Sequence, residues 1–514
     1  MKVAPLESRL VQHSTQNVPS SASREQSAAE AVVGILLVLS LAGMGRVAVD
    51  PAPYMSHGFR LDRITATMAL LVAAIGLAAV RYGARCLQGQ AQGRRLTGWM
   101  AAATTASWLL ALADGFVVLL LAWVAVGICL QSMLSWRMPG RTALSPASCA
   151  LRLSLFGDLM LACAFAVAWI AYGSGGLSSS VERMATDSST AWTTAIVLLA
   201  CGACVVKTAQ VPAHGWLPST VDAPTPVSAL MHAGIINAGG VMLVRMAPAI
   251  DRVPEAWLLL SLVGSASMLV AVPTAWFQAK AKSALAWSTV GQMGFMLTQC
   301  GLCAFPAALL HVLGHGTYKA WSFLGAGEVS RAGPKVPDPV RALGLLMVGT
   351  LASVAGVALS LRLLDMPAPT TPGKLALLAV VCIATGQCWV ALLGDRTSHA
   401  RRAAQVSTAL TLSVAIPSLA LSLYAVASAW IGLPGEATPP SRGAMSWMAA
   451  IVPVLTIVSL AVLHALLPSL ERCALGQQLR VHASNGFHLW ALVVDRGRRP
   501  RTARSSLNSG ASHA

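Results

Sequence analysis

His311, His315 and Lys319 stand four residues apart in the apolar run 305–327. In a helix the three share one face, each a turn above the last. Imidazole and ammonium both take up and release protons, and a water chain along such a stripe could pass protons between them. Three more titratable groups lie in or beside apolar runs: Asp158 within Leu151–Ala164, Lys207 at the end of Ala195–Val206, and His232 in 226–248. A charge at the middle of a bilayer costs about 2.5–3.5 kcal/mol even on lenient insertion scales. Groups kept against that cost face the bundle interior or a hydrated cavity, so they read as an ion path rather than as lipid-facing surface.

Each single residue has a plainer reading beside this one. Lys207 can snorkel to an interface, His232 can be a satisfied buried histidine, and Asp158 can pair with Arg152 or cap a turn. The stripe of three is harder to explain in this way. Lysine usage adds to it. The lysines are Lys2, Lys207, Lys280, Lys282, Lys319, Lys335 and Lys374, and every other base is arginine. A buried lysine can give up its proton, whereas a guanidinium stays charged. Lysines kept inside the membrane of an arginine-rich chain point to a titratable ammonium.

The helices that must hold these groups are interrupted at one place. Val206–Gly240 reads VKTAQVPAHGWLPSTVDAPTPVSALMHAGIINAGG. Pro212 and Pro218 break the helix that begins near 191, and Pro224 and Pro226 start the next, where proline suits the first turn. A broken helix frees backbone carbonyls to bind water or a cation; a simple interhelical loop is the alternative.

The rest of the chain is built to cross a membrane. Of its 514 residues 55% are hydrophobic and 11% are charged, against about 25% charged in a soluble domain. The mean hydropathy is +0.65. Long continuous apolar runs exclude a soluble enzyme, a disordered protein and a transmembrane barrel. Spans are expected at 29–47, 62–81, 97–113, 115–135, 153–172, 191–208, 226–248, 257–275, 284–303, 305–327, 340–361, 374–394, 404–431 and 445–468, about fourteen helices near 20 residues each. The fold class is therefore all-α, a polytopic helical bundle.

The 36 Lys+Arg against 19 Asp+Glu give a net +17, which in a soluble protein would indicate nucleic acid. Here the bases fall in alternate loops, at Arg81–Arg95, Arg137–Arg152, Lys280–Lys282, Arg331–Arg341 and Arg396–Arg402. The acids fall in the others, at Asp50, Glu182, Asp187, Asp251, Glu255, Asp365 and Glu436. The positive-inside rule makes the basic loops cytoplasmic and puts both termini inside; the partner is a lipid bilayer, with no nucleic acid. Residues 1–28 read as an uncleaved cytoplasmic tail rather than a signal peptide. The 11 cysteines are scattered, and Cys201 with Cys204 completes no metal set, so they read as packed thiols. The tail from Glu471 lies along the interface or is a plain cytoplasmic end.

Several stretches carry a family resemblance: Lys207 with AQVP, Trp216-Leu217, APTPVSALMHAG, AKSALAWSTVGQMGFM and HVLGHGTYKAWSFL. With Leu112–Gly127 and Gly157-Asp158 they cover roughly residues 60–330. The chain resembles the antiporter-like family of the proton-pumping membrane subunits of respiratory complex I and the Mrp sodium/proton antiporters. That resemblance implies inverted repeats, two broken helices and a hydrated polar axis. The divisions would be 29–113 (N-terminal helices), 114–275 (first half, broken near 207–222), 276–470 (second half) and 471–514 (tail). By position Lys207 would be the central proton-holding lysine, Asp158 its acidic partner and His232 the next relay, with Lys282, His311, His315 and Lys319 continuing the path.

Two positions depart from the family. Val124 stands where a glutamate usually follows the tryptophan, and residues 340–365 offer Arg362 and Asp365 but no lysine. A finer resemblance, in PAHGWLPSTVDAPTPVSALMHAGIINAGG and the closing RVHASNGFHLWALVVDR, is to the DabB subfamily. These are inner-membrane subunits of bacterial two-component inorganic-carbon accumulation complexes. It implies a large peripheral zinc-binding, carbonic-anhydrase-like partner, DabA, whose carbon dioxide hydration is driven by cation flow through the membrane subunit. The chain itself is expected to hold no metal or cofactor and no catalytic site. It has no Gly-rich dinucleotide fingerprint and no iron–sulfur cysteine spacing. A redox-driven pump, a Na⁺/H⁺ antiporter subunit and a non-conducting scaffold remain the other readings.

Overall fold

The structure is a computed structural model that describes residues 20–88, 90, 92–135, 146–173, 175–186, 190–326, 338–394, 399–432, 443–470 and 472–489. The basic residues Arg137, Arg141, Arg331, Lys335 and Arg396, the acids Asp187 and Glu436, most of the N-terminal tail and the run from Arg496 to Arg504 lie outside them.

In hydrocarbon the backbone must satisfy its own hydrogen bonds, so apolar runs of this length become helices. In chain order they are α1 (Ser20–Val49), α2 (Arg63–Cys86), α3 (Gly93–Leu112), α4 (Phe116–Leu134), α5 (Pro146–Tyr172), α6 (Leu177–Thr186), α7 (Thr190–Lys207), α8 (Thr225–Ala233), α9 (Ala238–Arg245), α10 (Ala247–Ile250), α11 (Pro254–Trp276), α12 (Ala281–Gly301), α13 (Phe305–Gly325), α14 (Pro339–Leu363), α15 (Pro372–Leu393), α16 (His399–Ile431), α17 (Gly443–Leu470) and α18 (Ala474–Ser484). Each expected span overlies a helix, with α8 and α9 sharing 226–248. Among the described residues, ten spans are long and apolar enough to cross a membrane on those measures alone. Of the remaining four, α7 is the short one, and α3, α12 and α13 carry too many polar residues. The polar residues of α12 and α13, such as Thr289, His315 and Lys319, are buried against protein, while Tyr318 and Trp321 of α13 are exposed.

Burial is uneven. The span Thr225–Arg245 is 89% buried, while the most apolar windows of α1 and α16 are 22% buried. One large apolar core joins α1 to α13, and the later helices hold small separate clusters. Large apolar side chains such as Leu121, Ile170, Leu351 and Val426 are exposed on the outer helices, the pattern of a surface that faces hydrocarbon. α8 and α9 form the axis: α8 packs on α2 and α13, and α9 packs on α7, α12 and α13.

A two-stranded hairpin, β1 (Tyr54–Ser56) and β2 (Phe59–Leu61), links α1 to α2. Its Gly58 carbonyl accepts from the amides of Asp114 and Gly115 in the α3–α4 turn. Gly58 has φ +79°, a left-handed conformation that glycine adopts without strain. The described part of the C-terminal tail folds back onto the bundle. Ser484 at the end of α18 accepts from Gln278 at 2.9 Å, and Arg480 lies over the Phe277 ring.

Candidate functional site

The break after α7 is made by the backbone, five residues before the first proline. Lys207 is the last helical residue. Ala209 takes a left-handed φ of 54°. The amide of Gln210 donates to Val205 and that of Ala209 to Val206, the paired bonds that close a helix by the Schellman arrangement. Glycine usually fills that place, which is why the sequence pointed to Pro212 and Pro218 instead. Both prolines lie in the non-helical connection, Pro218 opening one turn of 3₁₀ helix. Pro224 caps α8 and Pro226 sits in its first turn, as the sequence indicated.

Ending the helix there presents the Lys207 ammonium to α4 and α5. Its Nζ donates to the Trp123 carbonyl at 3.0 Å and lies 4.6 Å from the centre of the Trp123 ring. It stands 3.9 Å from Asp158 Oδ1, with both side chains about nine-tenths buried. Asp158 therefore faces Lys207 rather than Arg152. Gly127 makes room for the pair. A Cβ on it would come within 2.7 Å of Ser154 Oγ and 3.9 Å of Lys207 Nζ. Val124, half-buried, carries no charge to this pair.

A second group gathers on α8, α12 and α13. Lys319 is fully buried. Its Nζ donates to the Leu285 carbonyl at 2.8 Å and to the Ser288 hydroxyl. The neighbouring Thr289 hydroxyl is 3.1 Å from His232 Nδ1, and the His232 ring stacks on Phe323 at 4.4 Å. His311 and His315 stack at 6.0 Å, so the stripe read from the sequence does share one face. His315 Nε2 is buried without a hydrogen-bond partner among the described residues. Buried polar atoms of this kind are where ordered water binds.

Lys282 is half-buried, with Nζ 3.5 Å from the Ala223 carbonyl at the far end of the break. Residues that sequence reasoning passed over fill the interval. Gln210 is fully buried, with Nε2 on the Thr208 carbonyl at 2.7 Å. Ser267 Oγ accepts from the Val211 amide at 3.0 Å. Ser288 and Thr289 lie inside AKSALAWSTVGQMGFM, a stretch noticed for its lysine, but ordinary hydroxyl residues give no signal of their partners. In the second half α14 runs unbroken from Pro339 to Leu363, ahead of Asp365.

A third charged feature was missed. Arg245 Nη2 is 3.0 Å from Asp114 Oδ1, with the side chains 7% and 1% exposed. Asp114 also accepts from the Ser178 hydroxyl at 2.5 Å and amide at 3.2 Å in the first turn of α6, where a carboxylate offsets free amides and the helix dipole. Arg245 Nη1 donates to the Ala113 carbonyl. The partners are 131 residues apart, so neither signals the other in the sequence.

Residues 113–395 match the family described as NADH:quinone oxidoreductase/Mrp antiporter, transmembrane. The chain belongs to this family. The matched segment contains all seven titratable residues read from the sequence. Antiporter-family relatives include the "Probable inorganic carbon transporter subunit DabB" of Hydrogenovibrio crunogenus, 32% identical over 63% of this chain and 63% of that protein. NADH-ubiquinone oxidoreductase chain 5 of Metridium senile is 29% identical over 60% of this chain and 52% of that protein. The chain thus spans between half and two thirds of the length of these relatives. Among solved structures, the Mrp complex from Dietzia sp. DQ12-45-1b has a chain that superposes with a TM-score of 0.59 at 24% identity, covering 94% of this chain and 59% of that one. That likeness shows an antiporter-like fold, and with the ten apolar helices it makes this a multi-pass membrane protein.

Proposed function

We propose that the chain is the proton (or sodium) conducting membrane subunit of an energy-coupled inorganic-carbon uptake complex. Cation flow through it drives carbon dioxide hydration, and hence bicarbonate accumulation, in a partner. The observation that carries this reading is the buried Lys207, released by a helix break and 3.9 Å from the carboxylate of Asp158. Such a pair holds a charge that can be neutralised by moving one proton. His232, His311, His315 and Lys319 supply further relay positions, with Lys282 at the edge of the break. The similarity to proteins named as inorganic carbon transporter subunits supports the coupling to carbon uptake. In this reading the chain has no catalytic site, the partner is a large peripheral zinc protein of the DabA type, and the membrane is the bacterial inner membrane with both termini in the cytoplasm.

The test is Lys207→Ala in cells expressing both subunits. Energy-dependent bicarbonate uptake is abolished while the complex still assembles; normal uptake sinks the assignment. Similarity to NADH-ubiquinone oxidoreductase chain 5 favours a second reading, a subunit of a redox-driven pump or a Na⁺/H⁺ antiporter. Co-purification separates them. One large zinc protein supports the first reading, and several membrane subunits support the second.

A further inference from the structure

The closing stretch RVHASNGFHLWALVVDR stands out in the sequence and has no part in the relay described above. Its first five residues end α18, which packs on α11 and α17. Two contacts anchor it at the end of α11. Gln278 Nε2 donates to the Ser484 carbonyl at 2.9 Å, and the Arg480 guanidinium lies 5.8 Å from the centre of the Phe277 ring. After Ser484 the chain turns sharply. Gly486 and Phe487 are both left-handed, with φ +61° and +55°. The turn buries Gly486 against the six-membered ring of Trp287. A Cβ on Gly486 would come within 2.6 Å of Trp287 Cη2 and 2.8 Å of Cζ2. Glycine meets both demands, the left-handed backbone and the close approach.

Trp287 connects this turn to the second group of buried polar residues. Its ring also meets that of His214, fully buried in the connection after α7, at 5.7 Å between centres. On α12 it stands between the residues that hold the group together. The Leu285 carbonyl and the Ser288 hydroxyl accept from the Lys319 ammonium, and the Thr289 hydroxyl bonds His232. Leu285 to Thr289 is about one turn of helix. A shift of Trp287 therefore shifts the acceptors of Lys319.

We infer that residues 474–488 form a strap that clamps the corner between α11 and α12 and, through Gly486 and Trp287, sets the position of the turn that receives Lys319. Gly486 and Trp287 are positioning residues, and neither carries a proton. The inference rests on the reading of Lys319 as a relay group and adds to it a point of control: movement of the tail changes how Lys319 is held. Such coupling passes through packed side chains in contact, here from Gly486 to Trp287 and along one turn of α12.

The experiment is hydrogen–deuterium exchange of the full chain in lipid nanodiscs, with proton flux measured in parallel in proteoliposomes of the complete complex. Gly486→Val disfavours the left-handed backbone and crowds Trp287, so it should release the strap. The amides of 285–291 should then exchange about tenfold faster, as a locally opened segment does, while those of α5 and α15 keep their native rates. Flux should fall about tenfold, within the loss that a small misplacement of a reacting group brings. Gln278→Ala with Arg480→Ala releases the strap at its other end and should give the same result, should Gly486→Val fail to fold. Trp287→Phe removes the carbons that a Cβ would crowd. Added to Gly486→Ala, it should recover much of the exchange protection and flux that Gly486→Ala loses. Native exchange at 285–291 in both released variants overturns the strap. Faster exchange with native flux overturns its role in positioning Lys319, and so does a failure of Trp287→Phe to rescue. Native flux in both Lys207→Ala and Lys319→Met overturns the proposed function instead, with the strap judged by the exchange rates alone.

Discussion

Removing one member of the Asp114–Arg245 pair is predicted to cause a large loss of stability. Asp114→Ala deletes a carboxylate that is 1% exposed and leaves the Arg245 guanidinium, 7% exposed, without its counter-charge. It also removes the acceptor used by the Ser178 hydroxyl and amide at the start of α6. Breaking a buried pair in this way costs about 3–5 kcal/mol, chiefly because the remaining charge cannot reach water. Replacing both partners by apolar residues of similar size costs far less and is often neutral. Asp114→Leu with Arg245→Met is therefore expected within about 1–2 kcal/mol of the native chain, the loss being the α6 cap. The assay is equilibrium unfolding by steric trapping in bicelles for the native chain, each single variant and the double variant. A double variant as unstable as Asp114→Ala, or an Asp114→Ala chain as stable as the native one, would refute the reasoning.

Other consequences are more local. Gly127→Ala drives its methyl into Ser154 Oγ and should cost about 1–3 kcal/mol as overpacking. Adding Ser154→Ala should recover most of this, because the Ser154 Cβ lies at 3.8 Å from the new methyl; unfolding midpoints of the two variants decide it. Lys319→Met keeps the length of the side chain but removes the ammonium held by Leu285 and Ser288. It should assemble normally in blue-native gels yet lose cation-coupled uptake. Full uptake would remove Lys319 from the relay.

The sequence showed the helices, the i, i+4, i+8 stripe and the interruption after Lys207, because each leaves a local trace in apolar periodicity, spacing or proline. It did not show how α7 ends, since Ala209 in a left-handed conformation looks like any alanine. Nor did it show what the buried charges touch. Lys207 meets Trp123 and Asp158 on two other helices, and Arg245 meets Asp114 across 131 residues. Such pairings are fixed by packing between helices distant in sequence, and no short window of residues encodes them. The apparent excess of spans over the ten that are apolar enough has the same origin: α12 and α13 carry polar residues such as Thr289, His315 and Lys319 on faces buried against other helices.

The central claim is that Lys207 conducts by losing and regaining a proton. It is tested most directly by Lys207→Arg, which retains a positive charge and a donor for the Trp123 carbonyl but cannot deprotonate. The complete complex, reconstituted in proteoliposomes, should assemble and bind its partner as before, while proton flux and carbon uptake are lost. Native flux through the arginine variant would contradict the account.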